Sequence, residues 1–157
     1  MKKIIIIGAG AMGSAFGVPC VENKNDVTIV GTHLEYELID EIKSKSQIHP
    51  TLKTQLPKEI KFERFDKLQS LLSKSPDIII CGVSSIGIEW FVEQISKTYK
   101  KKLPLVLLTK GLSIFDGDLI TLSDKIKNLL KNNGHSEINI SAIKGPCLAV
   151  GLANKMR

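Results

Sequence analysis

Four consecutive isoleucines at residues 4–7 run directly into a glycine-containing turn at residues 8–13, and this junction constrains the fold more than any other part of the sequence. A short run that is apolar throughout is typical of a parallel strand buried on both faces. The alanine-containing segment after the turn is predicted to be a helix. The order is therefore strand, glycine turn and helix.

The turn carries the pattern G-x-G-x-x-G, which binds the pyrophosphate of a dinucleotide when it stands between a strand and a helix. We expect Gly8 to permit the tight turn, Gly10 to let the backbone approach the pyrophosphate, and Gly13 to let the helix pack on the strand. The phosphates would lie against backbone N–H groups at the positive end of the helix. A turn that serves packing alone is the alternative, and the flanking strand and helix favour the dinucleotide interpretation.

Composition limits the class of protein and its partners. At 157 residues, 43% of them hydrophobic, the chain is predicted to form one globular domain. The formal net charge of +6 comes from scattered lysines, and the densest run, residues 100–102, is interpreted as a solvated turn. We therefore expect no nucleic-acid partner, while a mild positive charge suits small anionic ligands.

The cysteines and the apolar segments indicate the compartment. Cys20, Cys81 and Cys147 are odd in number, far apart and without metal-ligand spacing, so we expect no metal site and a reducing compartment. No signal peptide is visible, and no apolar stretch approaches the ~18 residues of a membrane span. The sequence predicts a soluble, cytoplasmic protein.

Strand and helix patterns alternate along the rest of the chain. After the first strand, the predicted strands are 27–30, 60–63, 78–81, 105–108 and 138–143, and the predicted helices are 11–23, 35–44, 66–75, 85–100, 118–131 and a last one from 147. Residues 46–57, with two prolines, are predicted to be a surface connection, and His49 within it a loop histidine. This alternation indicates a doubly wound, mostly parallel α/β sheet of the Rossmann type with helices on both faces.

Small or polar residues follow the predicted strands. They are Gly8, Thr32, Ser84, Lys110 and Gly145. Because ligands of such sheets bind outside the carboxyl ends of the strands, we expect these residues to converge on one rim, with Ser84 beside the cofactor.

The end of the second predicted strand bears on the choice of cofactor. NAD-binding proteins with this turn place Asp or Glu about 20 residues after it, where the carboxylate holds the adenosine ribose. This chain has Gly31 and Thr32 at that point. We therefore expect no carboxylate that would repel a 2′-phosphate, so the cofactor is NAD or NADP, with NADP permitted. Thr32 and His33 either approach the ribose and its phosphate or only line a loop.

Two positions on the rim are candidates for chemistry. Lys110 follows an apolar strand and precedes a glycine, where its ammonium could reach a cofactor ribose, a substrate hydroxyl or a carbonyl oxygen, and its alternative is a solvated strand-end lysine. Backbone N–H groups after Gly145 could hold a phosphate or a polyol oxygen. Cys147 could be nucleophilic near a helix N-terminus, but we interpret it as a small, weakly polar side chain.

Several of these segments together resemble the NAD(P)-dependent glycerol-3-phosphate dehydrogenases. The segments are GAGAMGSA at 8–15, VTIVGTHLE at 27–35, HPTLKTQLPKEI at 49–60, GVSS at 82–85, LLTKGL at 107–112 and IKGPCLAVGLA at 143–153. They occur in the family's order and spacing. The resemblance implies hydride transfer between C4 of the nicotinamide and the pair dihydroxyacetone phosphate and sn-glycerol 3-phosphate.

The resemblance also implies roles for individual residues. Lys110 would be catalytic and contact both cofactor and substrate, and Gly145 and Cys147 would contact substrate. The implied cofactor contacts are Ala11, Met12, Thr32 and Ala149. The chain departs from the family where Cys147 replaces Ser or Thr, and where Gly87 or Ile88 replaces an aromatic residue.

Family members continue for about as many residues again in an all-helical domain that carries the general acid/base lysine and most phosphate-binding groups. The resemblance therefore implies that residues 1–157 are the cofactor-binding half, inactive without that C-terminal domain, and that the full-length form can be a homodimer. A 2-dehydropantoate reductase-like domain and a non-catalytic NAD(P)H-sensing module are the alternatives.

Overall fold

A computed structural model describes residues 1–100 and 103–156. Residues 101 and 102 of the predicted lysine turn lie outside the described residues. The strands are β1 Lys3–Ile7, β2 Asp26–Val30, β3 Ile48–His49, β4 Thr54–Gln55, β5 Lys61–Glu63, β6 Ile78–Cys81, β7 Pro104–Leu107, β8 Leu112–Phe115, β9 Asp118–Thr121 and β10 Asn139–Ala142. The helices are α1 Ala11–Glu22, α2 Tyr36–Ser44, α3 Leu68–Ser73, α4 Ile88–Ser96, α5 Leu122–Asn132 and α6 Ala149–Ala153.

Six of the strands form one sheet in the order β10-β7-β6-β1-β2-β5. Every pair in it is parallel, and Ile4 of β1 lies opposite Val27 of β2 and Ile78 of β6. The chain first winds outward from β1 through β2 to β5 and then returns to β6, so the strand order reverses beside β1. This confirms the doubly wound sheet and places its switch point at the glycine turn.

The isoleucine run is apolar throughout because both faces of the sheet are covered. Ile4 and Ile6 belong to a buried cluster that includes residues of α1 and α2. Ile5 and Ile7 belong to a second cluster on the other face, with residues of α4 and α5. Successive side chains of a strand point to opposite faces, so each of the four isoleucines enters a core.

Several helices are shorter than predicted. The predicted helices 66–75 and 85–100 each begin with a 3₁₀ turn, at Phe65–Lys67 and Ser85–Gly87, before α3 and α4. The predicted last helix is reduced to the five residues of α6. Across residues 1–100 and 103–156, no helix combines the length and the hydropathy that crossing a membrane requires.

The prediction that residues 118–121 begin a helix is wrong. They form β9, which pairs with β8 in an antiparallel hairpin. Asp116 and Gly117 join the two strands with φ angles of 51° and 88°, and an Asp-Gly pair at positive φ is typical of a tight hairpin turn. Thr121 then caps α5, because its hydroxyl accepts a hydrogen bond of 3.2 Å from the Asp124 N–H.

The prediction of a surface connection at residues 46–57 is also wrong. This segment contains the short hairpin of β3 and β4, and His49, Leu52 and Leu56 within it are buried. Leu52 and Leu56 pack into the same cluster as α1 and α2. Their spacing follows an irregular backbone, so no helical or strand period marked the segment as part of the core.

Helix α1 lies directly on the glycine turn. Gly8 has φ +107°, and a Cβ atom added to Gly13 would lie only 2.2 Å from the Gly8 carbonyl oxygen. A Cβ atom added to Gly82, which follows β6, would in turn lie 3.2 Å from the Gly13 Cα atom. Gly8 and Gly13 therefore have the structural tasks expected for them, the turn and the helix-to-strand contact.

We expect Gly13→Ala to lower the free energy of unfolding by about 3 kcal/mol or more, because the new methyl group meets a backbone oxygen that no side-chain rotation can relieve. Urea unfolding followed by circular dichroism measures this. Gly151→Ala in α6 is the control, since its Cβ would lie 4.0 Å from the nearest other atom, Cβ of Met156, and it should be neutral or raise stability by up to ~1 kcal/mol. Equal stability of the two variants would contradict the close helix contact.

Candidate functional site

The carboxyl ends of the central strands lie level with one another. Backbone hydrogen bonds continue past the strands: the Gly8 N–H donates to the Val30 carbonyl oxygen over 2.9 Å, and the Gly82 N–H donates to that of Ile7 over 2.8 Å. The Ile143 N–H extends this pairing to the Leu107 carbonyl oxygen at the far side of the sheet, over 2.9 Å. The five loops that were predicted to form the ligand-binding rim therefore all leave the sheet at the carboxyl ends of its strands.

A cavity of about 660 Å³ opens between three of these loops. Its lining includes Gly10, Ala11, Met12, Thr32 and Ser84, five residues that the sequence predicted to bind the cofactor. Gly8 and Gly13 lie beneath it and are buried in the contact between α1 and the turn. The volume is in the range of small-molecule sites, and the lining combines backbone and apolar groups as such sites do. The binding roles of these residues stay predictions.

Aromatic side chains form one wall of this cavity. The rings of His33 and Trp90 have centroids 5.1 Å apart, and Phe65 packs beside Trp90 with a centroid distance of 5.5 Å. Both His33 and Trp90 line the cavity, and Ile86 stands at it with 93% of its surface exposed. The aromatic residue that the family often has soon after Ser85 is absent from this sequence. In the structure, the ring of Trp90 in the first turn of α4 lies at this wall of the cavity.

A carboxylate stands at the edge of the cavity, where the sequence predicted none. Glu35 is half-buried, and its Oε2 atom accepts hydrogen bonds from the Thr32 N–H over 2.7 Å and the Ala9 N–H over 3.1 Å. The expectation of a site without a carboxylate is therefore wrong. It failed because Glu35 follows β2 by several residues and reaches the glycine turn only after the chain folds back. NAD and NADP both remain open as cofactors.

His49 is not a loop histidine but a buried partner of the glycine turn. None of its surface is exposed, and its Nδ1 atom accepts hydrogen bonds from the N–H groups of Thr51, over 3.2 Å, and Leu52, over 3.3 Å. Nε2 must therefore carry the ring proton, which it donates to the Ala9 carbonyl oxygen over 3.0 Å. The Ser14 hydroxyl donates to the same oxygen over 2.8 Å. No sequence pattern links His49 to a turn that lies so far away along the chain.

A second, smaller cavity brings together the residues predicted to contact substrate. It has a volume of about 240 Å³, and Lys110, Gly145 and Cys147 all line it. The Lys110 ammonium donates a hydrogen bond to the Gly145 carbonyl oxygen. Met12 lines this cavity as well as the larger one, so the two share a wall. Ala149 lines neither cavity and packs on the core beside α1.

The cysteines differ in their capacity to react. Burial raises the pKa of Cys81 to about 12 and that of Cys20 to about 11, so neither forms a thiolate at neutral pH. Cys147 is exposed and lies at the smaller cavity. The two buried thiols are therefore structural, and only Cys147 is placed to meet a ligand.

Residues 3–157 match the family described as NAD-dependent glycerol-3-phosphate dehydrogenase N-terminus. The chain belongs to this family. The match confirms the resemblance read from the motifs and sets aside the 2-dehydropantoate reductase alternative.

Relatives of this chain include one archaeal and one bacterial protein. The chain is 33% identical to the NADP(+)-dependent glycerol-3-phosphate dehydrogenase of Archaeoglobus fulgidus over 153 residues, which cover 98% of this chain and 44% of that protein. It is 30% identical to glycerol-3-phosphate dehydrogenase [NAD(P)+] of Mesoplasma florum, with the same two coverages. The chain thus spans less than half the length of these relatives.

Solved structures agree on the fold of the glycerol-3-phosphate dehydrogenase domain. The Plasmodium falciparum enzyme superposes with a TM-score of 0.78 at 24% identity, over 98% of this chain and 43% of that one. The Coxiella burnetii enzyme gives 0.76 at 20% identity, with the same coverages. The Rossmann-type fold is confirmed.

We expect Glu35→Ala to lower the free energy of unfolding by about 1–3 kcal/mol, because two partly buried N–H donors lose their acceptor. Glu35→Gln keeps an acceptor oxygen and should lose less. Hydrogen exchange followed by NMR should show faster exchange at the Ala9 and Thr32 amides in the alanine variant. Glu37→Ala, an exposed residue of α2, is the control and should change neither amide. Unchanged exchange in Glu35→Ala would show that the carboxylate does not hold the turn.

Proposed function

We propose that this chain is the cofactor-binding half of an enzyme that interconverts dihydroxyacetone phosphate and sn-glycerol 3-phosphate. One observation carries the proposal: the cavity beside the glycine turn and the cavity at Lys110 share Met12 as a common wall. Hydride transfer requires a nicotinamide and a carbonyl carbon in direct contact, and two adjoining cavities would allow that arrangement. The relatives' names, glycerol-3-phosphate dehydrogenase, indicate the substrate pair.

The glycine turn would bind the pyrophosphate of NAD or NADP. Helix α1 begins at Ala11, and no side chain among the described residues caps its N-terminus at Gly10. The N–H groups of its first turn are therefore open to an anion, and the helix dipole favours one there. Thr32 and Ser84 flank this position from the loops after β2 and β6. The bound cofactor supplies the hydride.

Lys110 would orient the substrate oxygen. Its ammonium is held at the rim by the Gly145 carbonyl oxygen and remains exposed, so a substrate oxygen could reach it from the smaller cavity. A cation at that point stabilises negative charge that develops on the carbonyl oxygen as hydride reaches the carbon. Gly145 and Cys147 would contact the rest of the substrate from the same cavity.

The proton and the phosphate need groups beyond this set. Reduction of dihydroxyacetone phosphate requires a hydride and a proton donor, and the phosphate of this substrate must also be bound. Lys110 cannot donate the proton and bind the phosphate while it also orients the carbonyl. We infer that a C-terminal domain, corresponding to the length of the relatives that this chain does not span, supplies them. The chain by itself should then bind cofactor without turnover. A homodimer of the longer form and a cytoplasmic location stay predictions.

A non-catalytic NAD(P)H-sensing module is the second candidate. The observation in its favour is that the larger cavity brings together Gly10, Met12 and Thr32, three of the residues predicted to bind the cofactor. The two candidates make the same prediction for cofactor affinity and opposite predictions for turnover in a longer form.

Calorimetric titration of the 157-residue chain with NADH and with NADPH should show binding of at least one of them, and the ratio of the two dissociation constants gives the cofactor preference. Binding of neither would contradict the proposal. Dihydroxyacetone phosphate-dependent oxidation of the bound cofactor should be absent in this chain and present in a form extended to the length of the relatives, because the extension supplies the proton donor. An inactive extended form that still binds cofactor would favour the sensing module.

In an active, extended form, Lys110→Ala should lower kcat/KM by about 10²-fold or more, because the charge on the substrate oxygen loses its cation. Steady-state kinetics with dihydroxyacetone phosphate measures this, and the unfolding temperature should stay near that of the parent because Lys110 is exposed. Lys131→Ala, an exposed lysine at the end of α5, is the matched control. Parent-level turnover in Lys110→Ala would show that the assigned role is wrong.

A further inference from the structure

His49 is a fully buried titratable side chain that the proposed hydride transfer does not use. It lies on β3, and its ring joins two parts of the chain that are 40 residues apart. Nδ1 faces its own hairpin, where it accepts from the Thr51 and Leu52 N–H groups. Nε2 faces the glycine turn, where it donates to the Ala9 carbonyl oxygen. The two ring nitrogens thus have separate tasks.

His49 holds the peptide group between Ala9 and Gly10, which consists of the Ala9 carbonyl and the Gly10 N–H. In a trans peptide the carbonyl oxygen and the following N–H point in opposite directions, and the described residues contain no cis peptide bond. A hydrogen bond that holds the Ala9 oxygen toward the interior therefore turns the Gly10 N–H the other way. Gly10 lines the larger cavity, so an N–H turned away from the interior is available to a ligand that enters this cavity.

We propose that His49 is a positioning residue that aims the Gly10 N–H at the pyrophosphate of the cofactor by holding the Ala9 carbonyl oxygen. The inference rests on the proposed function, since it assumes that the larger cavity receives a dinucleotide. His49 contacts no ligand itself. It acts through the backbone of the turn.

Ser14 donates to the same oxygen, but the two donors are not equivalent. Ser14 belongs to α1 and is only 5 residues from Ala9, so its hydrogen bond moves with the turn and the helix. His49 comes from a separate hairpin whose leucines pack into the core. The histidine therefore ties the turn to the remainder of the domain, whereas the serine ties it only to its own helix.

Two substitutions separate the tasks of the two nitrogens. In His49→Gln the side-chain amide N–H can occupy the position of Nε2 and still donate to Ala9, while the contact to the hairpin is lost. In His49→Asn the shorter side chain can accept from the hairpin as Nδ1 does, while the contact to Ala9 is lost. Each variant gives up hydrogen bonds, so both should have a lower unfolding temperature than the parent.

The dissociation constant for NADH or NADPH, whichever the parent chain binds more tightly, is measured by calorimetry for each variant. We expect His49→Asn to weaken binding about tenfold, the effect of losing one aligned hydrogen bond to the ligand, and His49→Gln to stay within about threefold of the parent. His135→Asn, in the turn after α5, is the control and should bind like the parent. Parent-like binding by His49→Asn, or equal losses in the two His49 variants, would overturn the inference.

If the variants fail to fold, a measurement on the parent chain tests the inference instead. With backbone amides labelled, the Gly10 N–H signal should shift strongly when the cofactor is added, and its exchange with solvent should slow. A Gly10 signal that does not move while the chain binds cofactor would overturn the inference. A parent chain that binds neither NADH nor NADPH would instead contradict the proposed function, so the two failures are distinguishable.

Discussion

The contact between helix α1 and the turn that precedes it is the constraint on which the rest of the molecule depends. Gly13 lies so close to the Gly8 carbonyl oxygen that no side chain fits between them. This contact places the N-terminus of α1 at the carboxyl end of the central strand β1, beside the point where the strand order reverses. The position of both cavities follows, because Met12, in the first turn of that helix, lines each of them.

Most of the fold could be predicted from the sequence because its signals are local. Local composition predicts that the isoleucine run and the apolar strand at Ile78–Cys81 are buried. The spacing of the glycines likewise predicts the conformation of the turn. Alternation of strands and helices then leaves few topologies, and the right-handed crossover selects among them. The rim residues could be predicted for the same reason, since the end of a strand is visible in the sequence.

The features that the sequence did not predict depend on partners far along the chain. Glu35 accepts from the Ala9 N–H and His49 donates to the Ala9 carbonyl oxygen, and no sequence pattern marks either side chain as a neighbour of the glycine turn. The hairpin at Asp116 and Gly117 had a local turn signal, but the helical pattern of α5 after it was extended too far toward the N-terminus. Apolar side chains on an irregular backbone, such as Leu52, gave no period from which burial could be predicted.

The hairpin of β8 and β9 begins two residues after Lys110. Its side chains Leu112, Ile114 and Leu119 are 59%, 70% and 69% exposed, and a two-stranded ribbon has little stability of its own. A hydrogen bond of 3.2 Å from Lys125 of α5 to Ser113 holds it. The loop that carries Lys110 therefore leaves a buried strand of the main sheet, β7, and runs directly into an exposed two-stranded ribbon.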